Sequence, residues 1–168
     1  MPRESSALPL NTLPLILVAA AAPAAAPQPA ATAFEHFFTG STQGSGTVAI
    51  MLSGRHGMKD RARGRMERGA LIIEQVVEEE GKPARRRSWR LVRAGGNRIG
   101  GSISDARGQV AGEVAGATLH LRYTMSDGPT VEQWITLRPG GRSASNRMVF
   151  HRFGMKVATV ESEIAKVD

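Results

Sequence analysis

Beyond residue 44 the chain repeatedly alternates apolar and polar positions. Val48, Ile50 and Leu52 share one side of a period-two pattern. So do Leu71, Ile73 and Val77, then Trp89 and Leu91, then Leu119, Leu121 and Tyr123, then Val131, Ile135 and Leu137. Successive side chains of an extended strand point to opposite faces, so this alternation marks strands with one buried face. Turn signals rich in Gly, Pro, Asn and Asp interrupt it at roughly 10–15-residue intervals, as short loops between strands would. The pattern predicts strands near 46–53, 58–66, 70–79, 85–93, 97–104, 109–114, 117–125, 130–138, 144–153 and 155–165. In the last segment Val157, Val160, Ile164 and Val167 stand three or four apart, a helical spacing, yet a strand there would close a barrel.

An open sheet of this many antiparallel strands leaves reactive edges, and closure removes them. The expected fold is therefore all-β, an up-and-down antiparallel β-barrel of about ten strands. Gly100, Gly101 and Gly112 fall inside strands, where bends or bulges form. Arg68-Gly69 reads as a two-residue hairpin loop, with Gly supplying a positive φ. Counting back from it sets Met66 opposite Leu71 on the inner face, with Arg63 opposite Glu74 and Lys59 opposite Glu78 on the outer face. Trp89 shares a face with Leu91 and should be buried. Arg87 falls on that same face and is expected at the barrel rim.

The stretch before the first strand changes the picture of where the protein works. Leu13–Ala22 is apolar, too short to span a bilayer, and followed by small residues and prolines. This is the layout of a cleaved secretory signal, with cleavage after Ala26 or Ala33. The expected organisation is a signal and Ala/Pro-rich segment over 1–33 and a single barrel domain over 34–168, monomeric and located in the periplasm. Phe34, Phe37 and Phe38 fit one helical turn, and the simplest role for them is a plug over one end of the barrel. With no cysteine there is no lipid-modified amino terminus, disulfide or thiolate.

The net charge is +7, from 22 Lys and Arg against 15 Asp and Glu. Lys59, Arg61, Arg63 and Arg65 alternate along one strand face, and Arg85, Arg86 and Arg87 form a second cluster. Only Trp89 is near enough to offer stacking, which argues against nucleic acid. The acids of the partner strand offset part of the stripe. A solvated exterior is the plain reading, and an anionic envelope surface is the alternative.

Gly40–Gly46 superficially resembles a phosphate loop but lacks the Lys-Ser/Thr tail and leads into a strand, so a flexible entry segment is expected. His36, His56, His120 and His151 show no metal-ligand spacing, and a haem barrel would need one of the last two inside. Asp105 and Asp127 lie in turns, where Asp accepts backbone hydrogen bonds. No Gly-x-Ser-x-Gly elbow joins a strand to a helix. The expectation is no catalytic residue, no metal, no cofactor, and a protein that is not an enzyme.

Several motifs occur in order across residues 37–157. They are Phe37-Phe38-x-Gly40 with Gly44-x-Gly46, then Arg86-Arg87-Ser88-Trp89-Arg90-Leu91, then Ser104-Asp105-Ala106-x-Gly108 with Gly112 and Gly116. Tyr123, Trp134, Asn146-Arg147 and Arg152-Phe153-Gly154-Met155-Lys156-Val157 complete the set. Together they resemble a bacterial family known only as a domain of unknown function, number three-eight-three-three. The resemblance implies an envelope protein, often a lipoprotein, with a lipocalin-like (calycin-type) barrel. It carries over no catalytic residue. The chain departs from the family in lacking the lipobox cysteine, in carrying Glu132-Gln133-Trp134 where acids tend to precede the Trp, and in its charged terminal strand with Glu161, Glu163 and Lys166.

The function expected from all this is binding of a small, largely apolar molecule or lipid inside the barrel or at its mouth, without catalysis. The candidate ligand-binding residues are the aromatics Trp89, Tyr123, Trp134, Phe150 and Phe153. The rival is a structural or assembly protein of the cell envelope, acting through its basic face or the Phe plug. A cavity of several hundred Å³ separates the two, since a barrel of this size either fills with side chains or holds one ligand.

Overall fold

The computed structural model of the protein describes residues 30–168. The expected export segment and the Ala26 cleavage site lie outside the described residues. One helix, α1 (Ala30–Phe38), leads into ten strands. These are β1 (Gly40–Ile50), β2 (Gly54–Glu67), β3 (Ala70–Glu79), β4 (Arg85–Arg93), β5 (Arg98–Ile103), β6 (Ala106–Ala115), β7 (Thr118–Met125), β8 (Thr130–Leu137), β9 (Ser143–Arg152) and β10 (Met155–Lys166). Each strand pairs antiparallel with the next, and β10 pairs with β1 to close the barrel. The ten-stranded up-and-down barrel expected from the alternation is the fold, although several strand ends move.

The glycine-rich segment is the first difference. Gly40–Gly46 is not a loose entry segment but the first half of β1, hydrogen-bonded to β2 and β10. The missing side chains make room: a Cβ on Gly44 would overlap an Asp60 carboxylate oxygen. Leu52 is the second difference. It does not continue the buried face of Val48 and Ile50 but stands in the β1–β2 loop with φ 68°, fully exposed. The terminal segment is a strand, and a bulge explains its helical spacing. Between Lys156 and Ala158 the register shifts, so Val157 and Ala158 both reach the interior wall, three and two residues before the buried Val160.

The Arg68-Gly69 hairpin has the expected register, pairing Met66 with Leu71, Arg63 with Glu74 and Lys59 with Glu78. Both loop residues have positive φ, 49° and 77°, the geometry of a tight two-residue hairpin. Met66, on the inner-facing side, is at the strand's end and stays exposed. Lys59, Arg61, Arg63 and Arg65 of β2 point outward. Arg61 rather than Lys59 makes the ion pair with Glu78, at 2.6 Å, and Arg65 pairs with Glu67 at 3.2 Å.

The helix closes one end. Phe34, Phe37 and Phe38 are buried in the same core as Leu71, Leu91, Val114 and Leu119, as the plug reading requires. Arg93 holds the helix from β4 by donating to the Glu35 carboxylate at 2.5 and 2.7 Å and to the Thr32 hydroxyl at 2.7 Å. Lys166 of β10 donates to the Thr39 and Phe37 carbonyls. The hairpins β2–β3, β4–β5, β6–β7 and β8–β9 share this closed end. The loops β1–β2, β3–β4, β5–β6, β7–β8 and β9–β10 surround the opposite end, the mouth.

Candidate functional site

Between plug and mouth lies a cavity of about 580 Å³, within the usual span of ligand pockets, roughly 300–1,000 Å³. Its wall is mainly apolar, with Val48, Ile73, Leu91, Leu121, Met148 and Val160 contributing from six strands. Each belongs to the inward set of its strand, so the cavity is a direct product of the period-two pattern. Residues of the mouth loops, Lys82, Asp127 and Pro129 among them, complete the lining, so the cavity opens there.

A set of polar side chains interrupts the apolar wall in two chains of hydrogen bonds. The Trp89 indole donates to Gln75 Oε1 at 3.0 Å, and Gln75 Nε2 donates to Asp60 Oδ2 at 2.8 Å. Across the barrel the Tyr123 hydroxyl donates to Gln133 Oε1 at 3.1 Å, Gln133 Nε2 to Asn146 Oδ1 at 2.9 Å, and Asn146 Nδ2 to Ser162 Oγ at 3.1 Å. Trp89 and Tyr123 meet edge to face with ring centroids 5.7 Å apart, which joins the two chains. Burial raises the Asp60 pKa, although the Gln75 hydrogen bond and the Arg87 charge oppose it. Burial likewise raises the Tyr123 pKa, so its hydroxyl remains a donor.

Arg87 differs from its expected surroundings. It lies near the mouth end of β4, as expected, but not as a solvated cation: its side chain is 9% exposed and turned inward. Its Nε and Nη2 donate to Asp105 Oδ2 at 3.0 and 2.5 Å. Asp105 therefore does not cap its turn as expected: the hydrogen bonds its carboxylate accepts among the described residues come from Arg87. From the β5–β6 loop it reaches back to neutralise a cation among apolar neighbours, as a buried charge requires. Its second oxygen, Oδ1, is buried without a hydrogen-bond partner among the described residues.

The five candidate ligand-binding residues divide. Trp89 and Phe150 line the cavity. Tyr123 is inside the barrel, buried behind Trp89 and held by Gln133. Trp134 is on the outer face, between the inward Gln133 and Ile135; it stacks on His120 at 4.7 Å, and His120 faces Glu132 at 3.2 Å. Phe153 is outside the cavity too, at the tip of the β9–β10 turn with φ 52°. Both corrections have simple causes. Trp134 is out of phase with the buried Val131 and Ile135, and Phe153 lies one residue past the end of β9, where alternation no longer applies.

At the mouth Glu79 collects Lys82 at 2.5 Å, Arg85 at 2.7 Å and His56 at 3.1 Å. Burial pushes its pKa up, but the hydrogen bonds from Lys82 and His56 and the charges of Lys82 and Arg85 outweigh that and hold it down at about 2. No group of three or more His, Cys, Asp or Glu side chains converges with metal-ligand geometry among the described residues.

The fold is similar to that of the S-type phycobiliprotein lyase CPES from Guillardia theta. The two superpose with a TM-score of 0.66 over 82% of this chain and 93% of that one, at 9% sequence identity. That likeness is one of architecture, a lipocalin-like barrel. It also corrects the expectation that the chain is not an enzyme. A barrel of this fold is a lyase, so neither the architecture nor the lack of a spaced catalytic motif argues for a purely passive role. No curated protein matches the sequence significantly. The family model described as "Protein of unknown function (DUF3833)" matches residues 18–166, nearly the whole chain, and the protein belongs to that family.

Proposed function

We propose that the protein takes up one small amphipathic molecule, apolar over most of its length, through the mouth of the barrel. The observation that carries this reading is the cavity of about 580 Å³, walled by apolar side chains and open at the mouth, while α1 covers the other end. A filled barrel would have favoured the structural or assembly role instead. The ligand's apolar body packs against Leu91, Leu121, Met148 and Val160. Its polar end meets the polar part of that wall, formed by Asp60, Gln75, Arg87, Gln133 and Asn146. The likeness to a phycobiliprotein lyase barrel supports small-ligand binding without naming the ligand.

We further propose that the chain is exported and works in the periplasm. The Leu13–Ala22 segment and the small residues after it support this reading. Native mass spectrometry of protein isolated from the periplasm tests the ligand directly. A non-covalent adduct at one per chain, lost on denaturation, is expected. An unadducted mass, together with failure to bind any apolar probe, would overturn the proposal.

A further inference from the structure

We infer that the mouth of the barrel docks on an anionic lipid bilayer through two apolar loop tips. Met51 and Leu52 form the β1–β2 tip; Phe153 forms the β9–β10 tip, with Met155 just after it. β10 lies between β1 and β9, so the tips are neighbours at the mouth, and the Met51 amide donates to the Val157 carbonyl at 2.9 Å. Leu52 is 99% exposed and Phe153 is 92% exposed. Four of the six large apolar residues exposed among the described residues gather at this one corner, so the exposure is not scattered.

The choice of residue at these turns points the same way. Leu52 and Phe153 have φ of 68° and 52°, the left-handed region that Gly or Asn adopts at lower cost. The plain Arg68-Gly69 hairpin at the closed end fills the same region, at φ 49°, with a charged side chain that water solvates. At the mouth each position carries a bulky apolar side chain turned away from the core, where it adds nothing to folding. A partner that takes up apolar tips accounts for both features.

Charge identifies that partner. Arg55, Arg152 and Lys156 flank the tips, exposed and without an ion pair among the described residues; Arg152 donates to the Asp127 carbonyl. The carboxylate of Glu79 at the same rim is already engaged by Lys82, Arg85 and His56. Narrow apolar tips among cations that make no ion pair suit the headgroup–acyl boundary of a bilayer containing anionic lipid. They lack the broad apolar core of a protein interface. Ile50, Phe150 and Val157 continue inward from the tips along the cavity wall, so docking would set the opening against the lipid. The surface stands on exposed residues alone and does not depend on what the cavity holds.

The chain has no cysteine, so one introduced cysteine reports one place. The full chain carrying Phe153→Cys, labelled with a polarity-sensitive fluorophore, is mixed with phosphatidylcholine vesicles containing roughly one-third phosphatidylglycerol. The emission should shift to the blue and be quenched by spin-labelled lipid. The same label at Arg68→Cys, on a closed-end hairpin, should not respond. Combined Leu52→Asp and Phe153→Asp should weaken vesicle binding at least about tenfold with no loss of melting temperature, as should omitting phosphatidylglycerol. An unresponsive label at 153, an equal response at 68, or undiminished binding by the double variant would overturn the inference. So would conversion of a dimer to a monomer by that variant, since the patch would then join two copies of the chain. Docking that persists while apolar probes fail to enter the barrel would sink the ligand proposal and leave this one standing.

Discussion

The guanidinium of Arg87 lies over the Trp89 ring, its central carbon 5.7 Å from the ring centroid. The contact places a cation inside a mostly apolar barrel, where it is held from the other side by Asp105. Such a pair is costly to break and much less costly to remove whole. Arg87→Leu should therefore destabilise the protein by about 3 kcal/mol, the low end for a broken buried pair because Asp105 retains some solvent. Adding Asp105→Asn should recover part of the loss. Urea denaturation of the two single variants and the double variant measures the coupling, and strict additivity would show that the pair is not the cause.

Gly44 and Asp60 form a second dependent pair. A methyl group at 44 would overlap the Asp60 carboxylate. Gly44→Ala should destabilise by more than about 1 kcal/mol by pushing Asp60 off Gln75. In the Asp60→Ala background the same change should be neutral, or stabilising by about 0.4–1 kcal/mol through the unfolded chain. Equal effects in both backgrounds would place the clash elsewhere.

Asp60 also sets a pH dependence. Its folded pKa is raised, so the unfolded chain ionises first as pH climbs past the ordinary Asp value of 3.8. The folded state is thus penalised progressively from there up to the folded pKa, and the full penalty remains above it. Glu79 acts oppositely, with a contribution that is complete above 4.5 and lost as pH falls towards about 2. Asp60→Asn should raise the melting temperature at neutral pH and leave the loss on acidification below 4.5 intact. Thermal melts across this range check it; a lower melting temperature at neutral pH would mean the carboxylate is needed for more than its bond to Gln75.

Much of this architecture is legible in the sequence because it is local. The Arg68-Gly69 turn carries its own register, and Met66–Leu71, Arg63–Glu74 and Lys59–Glu78 follow by counting. Alternation likewise places Trp89 inside. It does not reveal which side of an isolated strand is inner once a polar residue breaks the rule. Arg87 shares the Trp89 face, yet its solvation is replaced by Asp105, 18 residues away in a turn, a partner visible only in the closed barrel. The interior amides Gln75, Gln133 and Asn146 are hidden for the same reason. Phe153 and Leu52 read as strand residues because apolar character at a strand end looks like continuation; only the positive φ shows the turn.

The proposed export bears on the helix. Cleavage after Ala33 would remove Ala31, which is buried, and Thr32, whose hydroxyl accepts from Arg93. Cleavage after Ala26 leaves α1 whole. The intact mass of periplasmic protein should correspond to a chain starting at Pro27. A start at Phe34, or retention of Met1, would contradict this.

The interior of the barrel is proposed to receive a ligand. Ala62 faces the cavity from β2, and a larger side chain there should occupy it without disturbing the outer face. Titration of a fluorescent fatty acid into the wild-type chain and into Ala62→Trp tests this. One site per chain is expected in the wild type, with affinity at least about tenfold weaker in Ala62→Trp at similar melting temperature. No saturable binding to the wild type, or equal binding to both, would contradict it.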